Sequence, residues 1–173
     1  QQLKDFLQND FNLETPTLGD GQVPESADLL MVVDPDNLDT RALFAIDQFL
    51  MKGGTVVVAA APFSTMVSQQ SLFARPRTTG LEDWLAHYRI DIAPQLVMDP
   101  QNSAFPAPVT REVGGFSFQE LVMLDYPYFI DVRGEGLNED SPITSSLPQV
   151  TMSWASSIEL DADKQADRTA TVL

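Results

Sequence analysis

Ala27-Asp28-Leu29-Leu30-Met31-Val32-Val33-Asp34-Pro35-Asp36 leads into a helical stretch ending at Lys52, then Gly53-Gly54, then Thr55-Val56-Val57-Val58-Ala59-Ala60-Ala61-Pro62. The order reads strand, helix, strand. Both strands are continuously apolar between turn residues, the pattern of strands covered on both faces of a parallel sheet. We therefore expect a single α/β domain over 1–173, with a mostly parallel sheet flanked by helices. In such sheets ligands bind at the loops that leave the carboxyl ends of the strands, here residues 34–39 and 62–68.

The crossover helix has a legible start and stop. Asp39 or Thr40 can cap it, Leu43, Ile46 and Leu50 with Ala42 and Phe49 form its buried stripe, and Gly53 ends it. Upstream, Leu3, Phe6 and Leu7 share one face of a short helix, residues 11–15 alternate as an edge strand would, and 15–26 read as loop. Downstream, residues 62–80 read as a loose polar stretch. A second amphipathic helix over 81–88 has Leu81, Trp84, Leu85 and Tyr88 on its inner face.

Residues 96–99 form a third short apolar run, and the prolines between 100 and 108 predict a loop. Apolar pairs resume over 116–132, interrupted by Tyr126-Pro127-Tyr128, and 134–142 are again polar. Residues 150–160 read as one strand, 161–168 as a charged turn, and 169–173 as the start of a last strand. Both ends look cut, so we expect a fragment of something longer.

Composition narrows the partners. The chain has 173 residues, 43% of them hydrophobic, enough for a core. Its formal charge of −15 repels phosphate backbones, so nucleic acid is not an expected partner. There is no Cys, which removes thiolate nucleophiles, thiolate metal sites and disulfides together. No stretch reaches the roughly 18–20 consecutive apolar residues that span a bilayer.

Several constellations invite chemistry and fall short of it. Asp34-Pro35-Asp36 after an apolar strand resembles the haloacid-dehalogenase-like superfamily, in which the first Asp attacks phosphorus and the second serves as acid and base. The likeness stops after about ten residues: Asn37-Leu38 breaks the pattern, and the end of the second strand lacks a Ser or Thr. A calcium loop starting at Asp34 would place Leu38 and Asp39 where an oxygen ligand and a Gly are needed. Ser64 follows a strand, as a hydrolase nucleophile would, yet lacks the Gly-x-Ser-x-Gly elbow and reads as a loop serine. His87 is the single histidine, placed on a helix without an evident partner. Gly53-Gly54 and Gly114-Gly115 are turn glycines outside any phosphate-binding motif. Tyr126, Tyr128, Phe129 and Trp154, interleaved with aliphatic residues, read more as core than as a recognition patch.

One family resemblance spans nearly the whole chain. It rests on Val23 through Pro35, Ala45 through Val58, Gly80-Leu81-Glu82-Asp83-Trp84-Leu85-Ala86-His87-Tyr88-Arg89-Ile90, Leu96-Val97-Met98-Asp99, Tyr126-Pro127-Tyr128-Phe129 and Ser141-Pro142-Ile143-Thr144. These segments resemble the auxiliary component of ABC-type transport systems of the gliding-motility kind. The resemblance implies a flavodoxin-like or class I glutamine amidotransferase-like three-layer sandwich without the nucleophile. It also implies a membrane-anchored protein with this domain outside the cytoplasm, its spanning segments lying beyond this chain, and permease and ATPase subunits as partners. The family's motifs are structural, so no catalytic residue, metal or cofactor is carried over.

The expected function is thus non-catalytic interaction or ligand sensing, with Asp34, Asp36, Asn37 and Ser64 as contact residues for a partner, a peptide or a small polar ligand. Two alternatives stand beside it: an Asp-dependent phosphohydrolase using Asp34 and Asp36 with Mg²⁺, and a purely structural scaffold contacting its complex through residues 126–129.

Overall fold

A computed structural model describes residues 2–67, 72–161 and 169–173. The elements in order are α1 (Gln2–Leu7), β1 (Leu29–Val33), α2 (Thr40–Met51), β2 (Thr55–Ala59), β3 (Phe63–Val67), β4 (Leu72–Pro76) and α3 (Glu82–His87). There follow β5 (Ile90–Ile92), β6 (Phe105–Val113), β7 (Phe116–Leu124), β8 (Phe129–Val132), β9 (Val150–Ser153) and β10 (Ile158–Leu160). The chain divides into two compact units, the first comprising 1–60 and 78–84, the second 61–77 and 85–173.

The first unit holds the strand, helix, strand motif. β1 and β2 pair in parallel with Leu29 opposite Thr55 and Val33 opposite Ala59, and α2 is the crossover. Asp39 caps α2 by accepting the Ala42 N–H at 2.8 Å. The buried apolar residues of this unit include Leu30, Val32, Ala42, Ala45, Ile46 and Leu81. Trp84 Nε1 donates to Asp47 Oδ1 at 3.0 Å, which satisfies the indole N–H beside that core.

The three-layer parallel sandwich is not what the chain forms. Among the described residues the strands pair as five two-stranded sheets, and only β1–β2 is parallel. The physical reason is visible in β1, where burial alternates: Leu30 and Val32 are inside, while Leu29, Met31 and Val33 are 48%, 41% and 48% exposed. A continuous apolar run signals two covered faces only if a second layer arrives. Here no further described strand extends the pair, and one face stays open.

Other expectations are corrected in the same way. The loose stretch 62–80 contains the antiparallel hairpin β3–β4, with Phe63 opposite Pro76. The proline-rich loop of 100–108 runs into β6, whose nine residues include Pro106 and Pro108. Residues 96–99 and 11–15 lie outside regular structure, as do 169–173. Most of the charged turn 161–168 lies outside the described residues.

The single strand expected over 150–160 is two strands, because Trp154 adopts φ 52° and breaks the extended run. β9 pairs with β8 and β10 with β5. The longest sheet of the second unit is the β6–β7 hairpin, closed by Gly114 (φ 60°) and Gly115 (φ 83°). Positive φ at both central residues makes a type I′ turn, the geometry that matches strand twist and that glycine adopts without steric cost.

Candidate functional site

The loop leaving β1 carries three of the residues singled out in the sequence. Asp34 has φ 51° and Asn37 φ 47°, left-handed conformations that short polar side chains tolerate better than most. The Asp34 N–H donates to Ala59 O at 2.8 Å and so prolongs the parallel ladder past its last strand residue. Asp36 Oδ1 accepts from Asn37 Nδ2 at 3.1 Å. All three side chains are exposed.

A second segment braces this loop from the side. Asn37 and Leu38 donate their N–H groups to the carbonyls of Thr78 and Thr79 at 3.2 and 3.0 Å. Thr79 in turn is fixed by Glu82, whose Oε1 accepts from the Thr79 N–H at 2.7 Å and from Thr79 Oγ1 at 3.0 Å, while Oε2 accepts from the Gly80 N–H at 2.9 Å. The Leu81 N–H donates to Thr79 Oγ1 at 3.1 Å, closing a capping box at the start of α3. Partial burial pushes the Glu82 carboxyl up, but the N–H and hydroxyl donors of Thr79 and Gly80 outweigh it and hold the group below the ordinary carboxylate range.

The fourth residue, Ser64, belongs to the other unit. It is not a loop serine: it lies exposed in β3, opposite Arg75. His87 ends α3, exposed, with its ring edge-on to Tyr88 at 5.4 Å. Among the described residues no group of three or more His, Asp or Glu side chains is arranged to hold a metal ion. What the Asp34–Asn37 loop offers is a fixed set of carboxylate and amide groups suited to hydrogen bonding.

The second unit has a cleft of about 410 Å³ that sequence reasoning missed, lined by Asp99, Gln101, Asp131, Arg133 and Glu135 among others. Asp131 is only 8% exposed; its backbone is held by Gln101 in both directions, at 3.0 and 2.8 Å, and its Oδ2 lies 3.5 Å from Arg133 Nε. Among the described residues its buried Oδ1 has no hydrogen-bond partner. The signal in the sequence was a lone acid inside the apolar run Phe129-Ile130-Asp131-Val132.

The aromatic residues read as core pack on one another but are not among the fully buried residues. Trp154 Nε1 donates to the Tyr126 hydroxyl at 3.1 Å, and Phe129 stands edge-on to both rings with centroids 4.9 Å away. These residues are half-buried.

Organised apolar surface lies elsewhere. It comprises the outward face of β1, continued by Val57 on β2, and the β6–β7 hairpin, where Val113, Phe116, Phe118, Leu121 and Met123 are exposed. Ordered strands that keep such side chains in water are the mark of a contact surface. A family model described as an ABC-type uncharacterized transport system matches residues 1–173.

The chain belongs to this family of auxiliary ABC transport-system components. Membership of the ABC transport auxiliary family ties the domain to transporter components and agrees with a role other than turnover. No curated protein and no solved structure gives a significant match.

Proposed function

We propose that this domain is a non-catalytic binding module of the ABC transport auxiliary family, of the gliding-motility type, placed outside the cytoplasm, and that it holds another component of the transporter through β1 and the loop that follows it. The observation that carries the reading is the open face of the parallel pair. Leu29, Met31 and Val33 point away from the core, Met31 opposite Val57, and the braced Asp34–Asn37 loop borders their carboxyl end. Parallel strands need cover on both faces, and α2 is a single helix. Covering the outward face would remove apolar area from water at about 25 cal/mol per Å², while Asp34, Asp36 and Asn37 at its rim fix orientation through hydrogen bonds.

The test is co-purification of the full transport complex. Met31→Asp should strongly reduce recovery of the permease and ATPase, with the fold intact because Met31 is exposed, and Asp36→Ala should reduce it less. Unchanged recovery with Met31→Asp overturns the reading. So does divalent-metal-dependent phosphate release from an aryl phosphate that is lost in Asp34→Asn.

A further inference from the structure

The two edges of the β6–β7 hairpin differ chemically. In a two-residue type I′ hairpin the closing pair, Val113 with Phe116, exchanges ladder hydrogen bonds, and bonded pairs then alternate with non-bonded ones. Pro106 opposite Met123 and Pro108 opposite Leu121 therefore fall in non-bonded pairs, whose backbone groups point outward. This is where a strand accepts proline, having no inward N–H to lose. The outer edge of β6 thus lacks the donors at 106 and 108, keeps those of Thr110 and Glu112, and is blunted against strand addition. β7 has no proline, so Ser117, Gln119, Leu121 and Met123 present a regular row of outward N–H and C=O groups, and no other described strand pairs with it.

From this asymmetry we propose that two copies of the chain join antiparallel along β7, forming a four-stranded sheet in the order β6, β7, β7, β6. The proposal is independent of the transporter contact made through β1. A second copy fits as occupant for three reasons. Each copy has one open and one proline-blunted edge, so joining the open edges gives a two-fold pair whose outer rims both carry prolines that oppose further strand addition. Arg111, Glu112 and Glu120 are the charged residues of 105–124, so the arm carries one net negative charge of the chain's fifteen and is where two acidic molecules can approach most closely. Arg111 moreover already pairs with Glu120 at 3.3 Å within its own hairpin.

A two-fold centred on Leu121 keeps the outward residues in bonded pairs, setting Leu121 against its counterpart and Gln119 against Met123. On the other face it sets Phe118 against Leu124 and Glu120 against Val122, with no like charges directly opposite. Phe116 and Leu121, each 70% exposed, would gain neighbours, and a two-stranded ribbon that is marginal alone in water would become a four-stranded sheet. Because the remainder of each copy repels the other, association should strengthen with salt.

Sedimentation equilibrium of the 173-residue chain tests the proposal, with circular dichroism to confirm folding. The chain should reach twice its own mass by about 100 µM. Gln119→Pro removes an outward donor without touching a hairpin bond and should weaken association about tenfold or more. Leu121→Lys, which needs no change of backbone, should do the same by setting two cations at the axis. Leu121→Cys, in a chain without other thiols, should oxidise to a covalent pair, whereas Thr110→Cys on the blunted edge should not. A chain that stays monomeric throughout, or a dimer that survives Leu121→Lys, overturns the proposal.

Discussion

Gly80 lies against the backbone of Leu38: a Cβ built on Gly80 would stand 2.5 Å from the Leu38 nitrogen and 2.6 Å from its oxygen. Gly80 also has φ 85°, so both space and conformation demand glycine there. This is the point at which the 78–80 segment is pressed onto the loop carrying Asp34, Asp36 and Asn37.

Gly80→Ala should therefore destabilise the first unit by about 2 kcal/mol or more, through left-handed strain and the displaced Leu38 backbone together. Urea unfolding followed by far-ultraviolet circular dichroism reads this as a lower midpoint. A midpoint equal to wild type would show that the approach to Leu38 constrains nothing. Gly19→Ala is the control, since a Cβ there meets nothing within 4 Å.

Glu82 makes the capping box sensitive to acid. Its folded pKa is depressed, so its contribution is fully present above the unfolded value of about 4.3 and is lost as pH falls through the lower folded value. The side chain is exposed, so the effect is that of a cap in water: Glu82→Gln should cost about 1 kcal/mol at pH 7. Below the folded pKa, wild type and variant should converge. Urea midpoints measured between pH 7 and pH 3 should show the gap closing; a gap that widens on acidification would contradict the assignment.

The proposed location outside the cytoplasm can be tested at Ser64, which is exposed and sits in a chain without cysteine. If the domain lies outside the cytoplasm as proposed, Ser64→Cys in the protein expressed in its own cells should react with a membrane-impermeant maleimide in spheroplasts as fully as it does after lysis. Protection in spheroplasts with labelling only after lysis would place the domain on the cytoplasmic side.

The first unit was the more legible half. Period and turn residues sufficed to find β1, α2 and β2 and the Asp39 cap, because those signals act within a few residues of one another. Whether Leu29, Met31 and Val33 are covered depends on a layer contributed from elsewhere, which their own apolar character does not encode. The antiparallel sheets were harder. Pro106 and Pro108 read as breakers, yet they are compatible with a strand at positions whose N–H would point outward, a fact that depends on register. β3 and β4 were hidden by Ser, Thr and Arg side chains that suit exposed strands as well as loops. At the loop after β1, Asp34, Asp36 and Asn37 were visible as polar groups at a strand end. Their brace by Thr78 to Glu82 was not, since it joins segments some forty residues apart.

The turn at Trp154 has a consequence for how the chain is made. By dividing 150–160 between two partners, it gives the strand Ile90–Ile92 a mate, Ile158–Leu160, that emerges from the ribosome about sixty-five residues later. Throughout that interval the nascent polypeptide carries an unmatched β-segment, so chaperone holding should matter most while the intervening residues are being made.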